Sequence, residues 1–165
     1  MAAVDKSQYE IFEVESNHND PAKRRVVDIS QGVVAFTYFE NIMSPTLTAR
    51  VIVVNTGGGV SDDEGNMVGV YNGLPFRGGE RVIIKIASNS NNNQDLDFSQ
   101  DTTKYFFVSS VSDVMVEAQK EIFTLNLISR EAITNETVRV GKKFPVSQKI
   151  SDSVEDIIKN YLKSD

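Results

Sequence analysis

The stretch that decides the fold runs VVAFTYFENI over residues 33–42 and resumes as LTARVIVVN over residues 47–55. Both pieces are rich in aromatic and β-branched residues, which fit a pleated surface and lose side-chain freedom in a helix. In the first, Val34, Phe36 and Tyr38 recur at every second position and share one face. In the second, Leu47, Ala49, Val51 and Val53 alternate with Thr48, Arg50, Ile52 and Val54, and the later half is apolar on both sides. The pair reads as a long antiparallel hairpin that bends through residues 41–45, its second strand packed on both faces.

Toward the C-terminus the same period returns. VIIKIA, residues 82–87, reads as a short buried strand. KYFFVSSV at 104–111 and VMVEA at 114–118 read as two strands parted by a turn near Ser112-Asp113. A tight turn at Gln119-Lys120 leads to EIFTLNLI at 121–128, where Phe123, Leu125 and Leu127 face a core while Thr124 and Asn126 face water. Between these elements lie segments that cannot hold regular structure. Gly57-Gly58-Gly59 and the acidic run after it favour disorder, and Gly78-Gly79 is turn chemistry. SNSNNNQDLDFSQDTT, residues 88–103, is so polar that it reads as a loop burying nothing. The period changes to helical at the end, where Val154, Ile157, Ile158, Tyr161 and Leu162 make one apolar stripe. Asp152, three residues before Glu155, suggests a capping box there. A shorter helical turn fits residues 130–135.

Toward the N-terminus, residues 9–14 alternate as an edge strand, and SNHNDPAKRR reads as a loop around Pro21. The chain is thus expected to be mainly β (α+β), with roughly six or seven strands and one or two helices. Its expected organisation is an N-terminal edge strand and polar loop over 1–25, followed by one domain over 26–165.

The 165 residues suffice to bury a core without disulfides or metal, and there is no cysteine. That excludes thiol chemistry, and a single histidine, His18, removes nearly every histidine-based mechanism. The net charge of −6 is the opposite of the basic face that nucleic-acid binders present. The main basic patch is Arg139, Lys142, Lys143 and Lys149, read as a surface facing acidic neighbours. The first residues carry no basic stretch followed by an apolar run, so no signal peptide is expected, and no apolar run is long enough to span a bilayer.

No constellation of residues points to catalysis. The triple glycine lacks the Lys-Ser/Thr and helix of a phosphate loop. Asp95, Asp97 and Asp101 approach calcium-loop spacing but carry no central glycine and no closing glutamate. His18 sits among polar loop residues, and no serine has a histidine partner. The expectation is a non-enzymatic protein with no cofactor and no metal.

One further reading rests on order and spacing over most of the chain. LNLISREAITNETVRVGKKFPVSQKISDSVEDIIKNYL, residues 125–162, resembles a pattern shared by baseplate hub proteins of contractile phage tails and the related spike proteins of type VI secretion. Its positions are the strand end Ser129, then Glu131, Asn135, Val140, Phe144 and the helix start Ile150-Ser151-Asp152 followed by Val154. Upstream, the hairpin of residues 28–57, with Glu40-Asn41-Ile42 and Ser44-Pro45-Thr46 at its bend, resembles the family's first hairpin. GLPFRGGERVIIKI at 73–86, with Gly78 and Gly79, resembles its next turn and strand. The likeness is nearest to hubs of T4-like phages, cyanophages in particular.

The resemblance implies an antiparallel tube-type β-barrel with flanking helix. It implies a structural virion protein of the tail baseplate, assembled in the bacterial host cytoplasm, joining tail tube to central spike around the DNA exit channel. The implied partners are copies of itself in a trimer or hexamer-like ring, the tail tube protein and the central spike protein. No membrane is involved, and DNA is only passing cargo. Hubs of this kind are longer and carry a second tube-type domain. Two alternatives stand beside it: a tail tube or tube-terminator subunit, and a receptor- or carbohydrate-binding module. Read physically, Ser129 and Glu131 would satisfy the first amides of a helical turn, and Asn135 would supply its left-handed stop. Val140, Phe144 and Ile150 would seat the crossover on the core.

Overall fold

The computed structural model describes residues 8–44, 46–57, 59–61, 64–90, 92–118 and 120–163. Pro45 of the expected bend, Gly58, Asp62, Asp63 and the turn residue Gln119 lie outside the described residues. The chain is mainly β, as its composition of alternating apolar runs requires. The strands are β1 (Gln8–Glu15), β2 (Val26–Asp28), β3 (Val33–Phe39), β4 (Thr48–Asn55), β5 (Val60–Ser61), β6 (Met67–Val68), β7 (Arg81–Ala87), β8 (Leu96–Asp97), β9 (Phe106–Glu117) and β10 (Lys120–Ser129). The helices are α1 (Val70–Gly73), α2 (Arg130–Thr137) and α3 (Ile150–Asp156), the last continuing as a wider π-turn over Ile157–Leu162.

An eight-stranded antiparallel sheet runs β2-β1-β7-β9-β10-β4-β3, with β8 added on β7, and β5 and β6 form a separate small ladder. The expected hairpin is β3 and β4, with Phe36 opposite Val51 and Tyr38 opposite Ala49. The inward face carries Phe12, Val14, Val51, Val53, Val82, Ile84, Phe106, Phe123, Leu125 and Leu127, all at most 2% exposed.

The sheet's two outer strands, β2 and β3, are consecutive in the chain and joined only by residues 29–32. Ile29 is buried and its N–H donates to Phe12 O of β1 at 2.8 Å. Gly32 lies against the other end of the sheet order, where an added Cβ would stand 2.9 Å from Val54 O of β4. The rings of Phe12 and Phe36 meet edge to face at 6.0 Å across the same space. The sheet therefore curls until its ends approach, although β2 and β3 do not pair with each other.

Several sequence expectations are corrected by this arrangement. The strand of residues 9–14 is an edge only in its first part, because β1 pairs with β7 along its length and β2 covers its other side from Glu13 to Glu15. Its alternate glutamates mark one solvated face, which the sequence pattern does not distinguish from an unpaired edge. The turn at Ser112-Asp113 is a β-bulge inside one continuous strand: Ser112 faces Thr124 and Met115 faces Ile122, so Asp113 and Val114 share the single partner Phe123. Asp113 takes a left-handed φ of 53° there. Hydrogen bonds from Thr124, Ser112 and Arg50 hold its carboxyl below the ordinary range. Arg50 reaches it from β4, across β10, at 2.9 Å. A second irregularity between Val33 and Ala35 turns Val34 outward, so the inner face of β3 is Val33, Phe36 and Tyr38.

The polar segment 88–103 also contributes to the core. β8 pairs with β7 through Lys85–Asp97 and Ile86–Leu96. Phe98 N donates to Ile84 O at 2.9 Å, and its ring meets Phe106 at 5.0 Å and Tyr38 at 5.7 Å. One aromatic side chain closes the end of the core between β3 and β7. Denaturant unfolding of Phe98→Ala should therefore lose about 2–3 kcal/mol of stability, somewhat below the cost of truncating a fully buried phenylalanine because the ring is only partly buried. A loss under about 0.5 kcal/mol, the range of ordinary surface substitutions, would mean that the ring sits outside the core.

Candidate assembly surface

At the bend after β3, Tyr38 Oη donates to Glu40 Oε2 at 3.0 Å. Asn41 Oδ1 accepts from Met43 N at 2.9 Å, and Asn41 O accepts from Ser44 N at 2.8 Å. These local bonds replace a strand ladder and fix the loop's path. They leave Ile42 98% and Met43 87% exposed, two large apolar side chains side by side. Burial of the ring and the neighbouring Glu40 carboxylate push the Tyr38 phenol up to about 12.

The same end of the sheet holds Ser129. Its side chain does not cap α2, as the sequence suggested. Its Oγ accepts from Leu47 N at 3.2 Å while its own N–H donates to Leu47 O at 3.0 Å, sealing the start of β4 against the end of β10. Glu131 lies in the first turn of α2, favourably placed for the helix dipole. Asn135 is not a left-handed stop, because the helix continues to Thr137 and Val138 N closes it on Thr134 O.

Gly78 and Gly79 sit apart from this group, before β7, with φ of 89° and 81° that only glycine adopts cheaply. The turn is organised by a residue that the sequence reading passed over. Glu80 is fully buried, and its carboxylate accepts from Arg77 N at 2.6 Å and Gly78 N at 3.1 Å. Gly79 N donates to Val108 O at 2.8 Å, pinning the turn to β9. Glu121 plays the same part elsewhere: buried in β10, it accepts from the amides of Val70 and Tyr71 and from Asn55 Nδ2. Gly69 leaves room for that carboxylate. A glutamate in a turn or at a strand start gives no sequence signal that distinguishes buried from solvated.

Beyond α2 the chain leaves the sheet. The segment 138–149 has no regular structure, and it does not seat on the core as expected. Val138, Val140, Val146, Ile150 and Val154 are all exposed, Val146 completely and Ile150 at 83%. Phe144 is half-buried under Lys142, whose Nζ stands 5.3 Å from the ring centre. Lys142 also pairs with Asp156 at 3.0 Å, which holds the segment against α3. Arg130 closes this unit by donating to Lys163 O at the end of the π-turn. The expected capping box is not formed. Lys149 occupies the cap position without a side-chain bond, and Asp152 lies exposed in the first turn, accepting from Ser151 Oγ at 3.2 Å.

Besides Glu131 and Asn135 on α2, the predicted positions that the structure describes divide into three groups. Glu40, Asn41 and Ser129 gather at one end of the sheet, Gly78 and Gly79 lie beside β9, and Phe144 and Asp152 belong to the C-terminal arm. What the surface offers is apolar side chains in a frame of Arg139, Lys142, Lys143 and Lys149, on an extended arm rather than in a cleft. Exposed apolar side chains grouped this way mark contact surfaces. The same arrangement offers contact area and charge, and no set of converging groups for bond chemistry. No family profile, curated protein or solved structure matches the chain.

Tyr38 gives this end of the sheet a measurable signature. Absorbance titration should show one of the five tyrosines ionising near pH 12. Its raised value supports the fold below the ordinary tyrosine range, and that support is lost as pH climbs through about 12. In Glu40→Gln the transition should move back toward the ordinary value. Five tyrosines titrating together would contradict the Tyr38–Glu40 contact.

Proposed function

We propose that the chain is a structural subunit of a contractile phage tail, serving as a tube-type domain of the baseplate hub. In this reading it joins the tail tube to the central spike and surrounds the channel through which DNA leaves. The work is done by contact between chains, without catalysis, cofactor or metal. The finer fold belongs to the same proposal: the curled sheet is a tube-type barrel that completes itself at the corner between β2 and β3, flanked by α2 and α3.

The observation that carries the proposal is the C-terminal arm. A segment that exposes Val140, Val146 and Ile150 between cationic side chains is unfavourable in a solitary protein and useful in an assembly. In a chain of net charge −6, the cations of the arm find complementary surface on other copies of the chain. The net negative charge also suits a conduit, since affinity for duplex DNA comes mainly from cations that neutralise phosphates. The order and spacing of the motifs over residues 26–163 support the same family.

Replacing Val140, Val146 and Ile150 together by aspartate tests this reading. Native mass spectrometry at high concentration should show a trimer or hexamer-like ring for the parent chain and monomer for the variant, with unchanged melting temperature. Six copies in the parent would favour the tube or tube-terminator role over the hub. An assembly indifferent to the three substitutions would remove the arm from the interface.

A further inference from the structure

In a chain with more acids than bases, one cleft gathers four basic side chains. It lies between the turn Pro21–Lys23 and the loop of residues 72–77, and encloses about 650 Å³. Lys23, Arg24, Arg25 and Arg77 line it together with His18 and Asn72; among the described residues no aspartate or glutamate lines it, and Glu15 pairs with Arg24 from behind. The basic run at 23–25 is visible in the sequence. Arg77 comes from far along the chain, brought here by the Gly78-Gly79 turn.

We infer that this cleft binds a small ligand carrying two or more phosphate groups. The cationic walls are held in place from behind. Arg24 donates to Glu15 Oε1 at 3.3 Å and to His18 O at 3.1 Å. Arg25 donates to the carbonyls of Ser61 at 2.9 Å and Gly73 at 3.2 Å, while its own N–H is taken by Ser16 Oγ at 2.8 Å. Guanidinium groups anchored this way keep their fork geometry and lose little freedom when an oxyanion arrives. Lys23 and Arg77 make no side-chain ion pair among the described residues. A multiply charged anion in the cleft would meet both of these cations at once.

The other lining groups fit the same chemistry. His18 Nδ1 stands 3.0 Å from Asp20 N and 3.2 Å from Asp20 O, which holds the ring against the turn beside the cleft. Asn72 adds a neutral amide. The enclosed volume falls within the range of small-molecule sites and is far larger than a single phosphate ion needs. Charged and amide side chains make up most of its lining residues, so charge provides most of the affinity for an anion. A concave site between two loops suits a small polyanion better than a duplex, whose phosphates lie on a convex rod. This assignment is independent of the assembly reading.

The test is calorimetric titration of the full chain in low salt with inorganic pyrophosphate and, separately, adenosine triphosphate. Both should bind saturably at one site per chain. Lys23→Ala combined with Arg77→Ala should weaken binding by at least about tenfold, as expected when charge-assisted contacts are lost. Neither side chain supports the fold, so the melting temperature of the free variant should match the parent. Lys142→Ala with Lys143→Ala should leave binding intact. The proposal fails if pyrophosphate does not saturate, or if binding survives K23A/R77A. It also fails if duplex DNA, rather than the small phosphates, is what the cleft residues hold.

Discussion

The corner at residues 29–32 is the constraint on which the rest of the sheet depends. An antiparallel sheet with one apolar face must cover that face, and this chain has too little helix to do so. The solution is to curl. Ile29 is bonded to Phe12 O on one side of the corner, and Gly32 presses against Val54 on the other. Strands at opposite ends of the ladder are thereby drawn over a common core, and Phe12 and Phe36 fill the space between. A side chain at Gly32 would collide with a backbone oxygen, which cannot move without shifting β4.

Curling leaves openings at both ends of the core, and different devices close them. Phe98 stands at one, carried by the short β8 against β7. Elsewhere, buried Glu80 and Glu121 gather loop amides that would otherwise lie unsatisfied near the core. Burying a carboxylate is costly unless its oxygens are hydrogen-bonded. Here each carboxylate accepts from at least two donors, so it fixes the loop it caps. With the core covered mainly by the curled sheet, α2, α3 and the arm between them are free to face outward. The proposed assembly surface follows from that division of labour.

The hairpin of β3 and β4 and the core face of β10 were legible from the sequence, because period-two patterns report directly which face is dry; the other face of β10 is not wet as expected, since Thr124 is buried. The terminal helix was legible from its apolar spacing, although Val154 of the expected stripe is exposed and Ile157–Leu162 wind as a π-turn. What escaped were features set by single residues in tertiary context. Asp113 reads as a turn residue and instead stabilises a bulge, because Arg50 lies within reach only once β4, β10 and β9 are side by side. Val34 keeps perfect alternation in the sequence and still points outward, since an irregularity shifts the register after Val33. Phe98 is hidden in a polar run whose average masks it. The motif positions Asn135 and Asp152 have reasonable local chemistry, but the helix around one and the cap beside the other are decided by neighbouring turns. Arg77 joins the cleft only because two glycines reverse the chain behind it.

The central claim is that the sheet is self-sufficient and the C-terminal arm is made for another chain. Amide hydrogen exchange on the isolated and the assembled protein measures this directly. In the isolated chain, β1, β4, β7 and β10 should exchange slowly, while amides across residues 138–149 exchange fast. On assembly, protection should rise over 138–154 and over the bend at Ile42 and Met43, with the strands unchanged. An arm already protected in the isolated chain, or protection gained only along the strands, would contradict the account.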